Sequence, residues 1–190
     1  MILLRTSRET TRSDRANDPA RAERPVSHPT VQPAPVRKSI VVKADAQRSF
    51  TSFTAGIGRW WPRSKSIGSS PQTDVILEPR VGGRWYERGQ DGSETEWGKV
   101  LSWDPPARLL LAWQIDAEFK YDPTLITEVE VTFTALGPSE TRVDIEHRKL
   151  ERLGEKAARL REAFDSDNGW SGVLRDFAGS AVSGRMNIRT

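Results

Sequence analysis

The sequence predicts an α+β fold: a curved antiparallel sheet of about six to seven strands wrapped around a long C-terminal helix, with short helices after the first strand. Three observations carry that expectation. Residues 82–113 hold four of the seven tryptophans and are cut by two turn signals, Gly89-Gln90-Asp91-Gly92-Ser93 and Asp104-Pro105-Pro106, so they read as a three-stranded meander. Residues 127–136 and 141–148 alternate with period two, Val129/Val131/Phe133 and Val143/Ile145/His147 against Glu130/Thr132/Thr134 and Arg142/Asp144/Glu146. Residues 170–181 carry Trp170, Val173, Leu174, Phe177, Ala178 and Ala181 at three- and four-residue spacing, an apolar stripe on one helix. A sheet with one wet face must bury the other, and this helix is the partner available to it.

The remaining elements follow in order. A strand over residues 36–44 alternates around Ile40 and Val42. Asp45 can cap the helix after it, where Phe50, Phe53 and Ile57 recur at helical spacing until Gly56 and Gly58 weaken the pattern and Trp60-Trp61-Pro62 ends it. A loop rich in Ser, Gly and Lys leads to a second strand over residues 73–78, with Val75 and Leu77 on one face, and the meander follows. After the alternating pair joined at Gly137-Pro138-Ser139-Glu140, residues 151–164 carry Leu153, Ala157, Leu160 and Phe164 and predict a shorter helix over a cavity mouth. Asp165-Ser166-Asp167-Asn168 then offers caps for the last helix.

Composition narrows the chemistry. A length of 190 residues allows one domain with a sizeable core, and no apolar run approaches the roughly 18 residues of a membrane span. Without cysteine there is no disulfide framework, thiolate metal site or cysteine nucleophile. Residues 1–36 hold six arginines against four acids, so +2 of the net +3 lies there and the rest is nearly neutral. No strand or helix offers the cationic stripe that nucleic acid requires, so no such partner is expected. Pro19, Pro25, Pro29, Pro33 and Pro35 with few aromatics predict a disordered tail over 1–36, ahead of a single domain over 37–184 and a short tail over 185–190. The opening Met1-Ile2-Leu3-Leu4 is too short for a signal peptide, and a cytoplasmic setting is expected.

Several local patterns together resemble the START/SRPBCC superfamily, in the branch named after the activator of heat shock protein 90 ATPase. They are Trp60-Trp61-Pro62, Glu78-Pro79-Arg80-Val81-Gly82-Gly83 leading to Trp85, Trp97-Gly98-Lys99-Val100, Pro105 before the strand ending at Trp113, His147-Arg148 with Leu150-Glu151-Arg152, and Gly169-Trp170. The resemblance spans residues 37–182 and implies a helix-grip fold with an apolar cavity between sheet and last helix. The superfamily includes lipid carriers, hormone receptors, aromatic polyketide cyclases and cochaperones, and it supplies no catalytic motif to transfer.

Site candidates therefore rest on their own chemistry. Aromatic rings can line an apolar pocket while indole N–H groups orient a polar ligand atom, which singles out Trp61 at a helix–loop junction and Trp85 and Trp113 near strand ends. His147 continues the Val143/Ile145 face, either as a ligand contact or acid/base or as a structural strand-end histidine. Leu174 and Phe177 of the last helix complete the expected ligand-binding set. Glu94, Glu96, Glu128, Glu130, Asp144 and Glu146 read as a charged outer sheet face. One histidine inside the fold and no cysteine predict no metal, and no cofactor is expected. Three readings stand: a binder of a small hydrophobic or aromatic ligand with no catalytic residue, a cochaperone-like protein with a chaperone partner, and a cyclase/aromatase-type enzyme using His147. The activators that the branch resembles also carry a separate N-terminal domain, which 36 residues cannot supply. An exposed strand edge leaves room for a homodimer.

Overall fold

The computed structural model describes residues 33–183. The expected tails lie outside the described residues, except that residues 33–35 lead without regular structure into the first strand. There the Ala34 carbonyl accepts a hydrogen bond from Arg161 Nε at 2.8 Å.

Seven strands form the sheet: β1 (Val36–Val42), β2 (Gln72–Leu77), β3 (Arg84–Gly89), β4 (Glu94–Asp104), β5 (Arg108–Trp113), β6 (Thr127–Gly137) and β7 (Glu140–Arg148). Their order is β1-β7-β6-β5-β4-β3-β2, antiparallel throughout. The chain from β2 to β7 is a continuous meander, and β1 closes the far side by pairing with β7, Val36 opposite His147 and Val42 opposite Thr141. β1 ends at Val42 rather than Ala44, because the Ala44 carbonyl is taken by the Thr141 hydroxyl at 2.8 Å as the chain turns into the first helix.

Asp45 caps that helix, α1 (Ala46–Thr54), by accepting the Arg48 amide at 2.8 Å. The expected helix through Ile57 is in fact two. At Gly56 the backbone turns its amide to Thr51 O at 3.2 Å, and α2 (Ile57–Trp60) begins after it. After β7, a 3-10 segment (Leu150–Lys156) precedes α3 (Ala157–Asp165), and α4 (Trp170–Ser183) ends the described chain.

Alternation decides the two faces. Val129, Val131 and Phe133 of β6, Val143 and Ile145 of β7, and Leu109 and Leu111 of β5 all point inward and are buried against α1 and α4. The outward residues form an ion-pair lattice in which Arg148 meets Glu128 at 2.9 Å and Glu130 at 2.5 Å, while Arg108 also pairs with Glu130 and Lys149 with Glu128. Partial burial opposes the charge on Glu128 and Glu130, but these cationic partners outweigh it and hold both carboxyls below their usual range.

Candidate functional site

One end of the inner face is not filled. A cavity of about 670 Å³ lies there, walled by Trp61, Trp97, Trp113, Phe164 and Trp170, with Ile67, Ile115 and Val173 between the rings. That volume is within the roughly 300–1,000 Å³ of small-molecule sites.

The tryptophans reach this place by separate local devices. Trp61 follows α2 in extended conformation, fixed by its amide bond to Ile57 O at 2.9 Å and by Pro62. Trp97 depends on a bulge: β3 and β4 pair Trp85 with Gly98 and then Tyr86 with Glu96, which leaves Trp97 as the extra residue. Position 98 must be glycine, since a Cβ there would lie 1.8 Å from the Ala112 carbonyl oxygen. Ring centroids of Trp61 and Trp97 are 5.0 Å apart, those of Trp113 and Trp170 5.7 Å, and Trp85 sits behind, 5.4 Å from Trp97 and 5.6 Å from Trp113. The indole N–H groups of Trp61, Trp85 and Trp97 are buried without a hydrogen-bond partner. An unpaired buried donor costs about 1–3 kcal/mol, so these three are a cost of the aromatic packing.

His147 lies behind the wall, fully buried. The Trp170 indole N–H donates to its Nδ1 at 3.2 Å, so Nε2 carries the proton and donates to Thr127 Oγ1 at 2.8 Å; that hydroxyl in turn reaches the Trp113 carbonyl at 3.3 Å. Phe164 packs on the ring at 4.6 Å and Trp113 at 5.6 Å. Burial pushes the imidazole pKa down to about 3, so it is neutral across the physiological range. Its geometry positions Trp113, Phe164 and Trp170 and leaves it no surface in the cavity.

Glu87 of β3 is also buried, on the same face as Trp85. Its Oε1 accepts the amides of Ile67, at 3.0 Å, and Gly68, clamping the loop whose Ser64, Lys65, Ser66 and Ile67 make one side of the cavity, while Oε2 has no partner. A Cβ at position 68 would lie 2.7 Å from Oε1, so a larger residue there would push against the clamp.

The mouth is polar. Lys65 Nζ reaches across to the Asn168 carbonyl at the turn before α4, and Glu118 pairs with Lys156. The loop after β5 is folded by the Asp116 carboxylate, which accepts the amides of Glu118 and Lys120 at 2.9 Å each, and Phe119 at its tip has φ 58° and stands half exposed at the cavity mouth.

Of the residues singled out from sequence, Trp61 and Trp113 are in the wall. Trp85 and His147 stand one layer behind it, and Leu174 and Phe177 are on the buried face of α4, in the packed core. Trp97, Phe164, Trp170, Phe119 and Lys120 were not singled out as ligand contacts. Trp97-Gly98 and Gly169-Trp170 stood out in the sequence, but as marks of the fold. No helix among the described residues is long and apolar enough to cross a membrane, and no three His, Cys, Asp or Glu groups among them converge on a metal site.

The family model described as activator of Hsp90 ATPase homolog 1-like protein matches residues 43–180. Among solved structures, the anthrahydroquino-γ-pyrone synthase Txn09 is 38% identical, covering 78% of this chain and 97% of its own, with a TM-score of 0.56. The self-sacrificing resistance protein CalC from Micromonospora echinospora is 33% identical, covering 80% of this chain and 97% of its own, with a TM-score of 0.59. The Aha1 dimer from Colwellia psychrerythraea, at 15% identity over 80% of this chain and 99% of its own and a TM-score of 0.54, shares the fold. A comparison with curated proteins finds no match.

Proposed function

The chain belongs to the activator of Hsp90 ATPase homolog 1-like family, and from that premise we propose that it binds a small aromatic molecule in the cavity between sheet and α4, with Trp61 and Trp113 as ring contacts. The observation that carries this reading is an open volume of about 670 Å³ walled by tryptophans in an otherwise close-packed core. Each 100 Å² of apolar ligand surface buried there contributes about 2.5 kcal/mol before the costs of association. The names of these two relatives above 30% identity among those that match, an anthrahydroquino-γ-pyrone synthase and a self-sacrificing resistance protein, favour small-molecule chemistry over a chaperone-docking surface.

An enzyme of the cyclase type draws support from the synthase relative, but not from His147, whose Nδ1 is occupied by an indole N–H and whose ring is shielded by three aromatic side chains. The reading to test is therefore binding. Native mass spectrometry of protein from its own host, then fluorescence titration with whatever is retained, should show indole quenching that is much weaker in Trp113→Phe. An empty protein that also ignores a broad panel of aromatic compounds would sink the proposal.

A further inference from the structure

Among the described residues, six aromatic side chains line the cavity, and one of them is held differently from the rest. Trp61, Trp97, Trp113, Phe164 and Trp170 are each packed ring against ring, whereas Phe119 meets no other described ring and leaves half its surface exposed at the mouth. Its φ of 58° lies in the left-handed region, which glycine and asparagine adopt far more readily than a bulky residue. A chain that keeps phenylalanine there gives up local stability for a ring in that place, and such outliers gather at ligand clamps. The segments around the mouth are also tied down unequally. Ile67 and Gly68 are clamped by the buried Glu87, and the same loop is anchored where Arg63 Nη1 donates to the Gln72 carbonyl at 2.7 Å. The α3–α4 turn is closed by the Gly169 amide on Ser166 O at 2.9 Å and receives Lys65 at the Asn168 carbonyl. Residues 116–120, which carry Phe119, are instead folded on themselves above the Ile115–Tyr121 bridge: the Asp116 carboxylate accepts the amides of Glu118 and Lys120, its carbonyl accepts that of Phe119 at 3.2 Å, and its own amide donates to Lys120 O at 2.8 Å. Among the described residues, the one polar tie from this tip to another element is the Glu118–Lys156 ion pair, both side chains half exposed, and an exposed pair contributes little. The tip is a preformed unit on a weak tether, free to move as a body.

We infer that Phe119 is the lid of the ligand site: with an aromatic molecule in the cavity, residues 116–120 close and lay the Phe119 ring over the ligand's outer end, and the ligand leaves only when that ring swings away. The inference rests on the cavity-binding proposal and adds a moving contact to its fixed wall. The exposed half of the ring is apolar surface that a bound aromatic covers, and ring-on-ring contact adds to that burial. Because the covering contact exists only once the ligand is seated, it acts on departure rather than on arrival.

Kinetics separate a lid from an ordinary wall residue. Stopped-flow mixing of the intact chain with phenylnaphthylamine yields both rate constants from energy transfer off tryptophan, which reports only dye seated near the indole cluster. Phe119→Ala should raise the dissociation rate about tenfold, the equivalent of uncovering about 50 Å² of apolar surface, with association unchanged or faster. Its chemical-denaturation midpoint should barely move, since half of the ring is exposed already. A dissociation rate raised by less than about threefold, or an affinity lost through slower association, overturns the lid and leaves the cavity reading standing. A large fall in the denaturation midpoint does the same, by making Phe119 part of the loop's own packing. Absence of energy transfer in the wild type overturns the cavity reading itself.

Discussion

The two halves of the sheet's inner face hold different aromatic clusters and end in different states. Toward α1, Phe50, Phe53, Phe133 and Phe177 pack against one another and against Trp60 and Trp103, with Phe53 5.6 Å from Phe133 and 5.1 Å from Phe177. Toward the α3–α4 turn, tryptophans spaced 5.0–6.4 Å apart wall a cavity together with Phe164. Phenylalanine fills space and asks for nothing else. Indole brings an N–H that needs an acceptor, and in this half three of them lack one. The first half is therefore set to act as packed core, and the second holds the open volume.

The largest test of that division is Phe177→Ala. Phe177 is fully buried between Phe53 and Trp60, and deleting its ring should cost about 3–5 kcal/mol in chemical denaturation. Affinity for phenylnaphthylamine, an uncharged aromatic dye whose binding is read by energy transfer from tryptophan, should barely change when measured on the fraction still folded. If affinity collapses while the fold holds, the halves are coupled and the division fails.

His147 backs the tryptophan half and gives the next largest effect. Its folded pKa is depressed to about 3 from an ordinary 6.5, so between those values the unfolded chain binds a proton that the folded one refuses. Its contribution is present in full above pH 6.5 and is lost as pH falls toward 3, at about 1.4 kcal/mol per pH unit. Unfolding free energy should drop by about 2 kcal/mol between pH 6.5 and 5, before most carboxylates titrate. His147→Gln, less stable overall, should be flat across that window. A wild type equally flat there would show that the imidazole is not held neutral.

Much of this was legible in the sequence, and the illegible part has a common cause. Period-two alternation placed Val129, Val131, Phe133, Val143 and Ile145 on the dry face, because a strand's geometry leaves side chains no other choice. The same alternation set Glu87 beside Trp85 on that face, a readable conflict between charge and burial, yet its resolution depends on the amides of Ile67 and Gly68 some twenty residues away. Trp170 illustrates the limit in another way. Its helical spacing with Val173 and Leu174 marks it as core, and it is buried, but it also forms cavity wall and orients against His147. Local periodicity reports which side of an element is dry; it does not report whether the space beyond is filled.

Glu87→Ala probes the clamp on the open side. It removes the acceptor for two loop amides and should cost about 1–3 kcal/mol, while dye affinity falls several-fold because one wall of the cavity is released. Glu87→Gln keeps an acceptor oxygen and should recover most of the affinity. If Gln and Ala behave alike, the charge rather than the clamp is what matters.

The smallest stability change is expected at Ile67→Ala, and it sharpens the comparison most. Ile67 is only half-buried, sits on the clamped loop and faces the cavity, so truncation removes little area that folding had buried. Unfolding should become easier by under about 1 kcal/mol, against the several expected at Phe177. Phenylnaphthylamine should nevertheless bind several-fold more weakly, since the deleted methylenes are ligand-facing surface and a half-empty pocket buries less of the dye. Such a residue, nearly silent in denaturation and clear in titration, is what an inner face divided into a sealed half and an open half requires. The reverse pattern, a large loss of stability with unchanged dye affinity, would mean that the loop packs as core and that the cavity is bounded elsewhere.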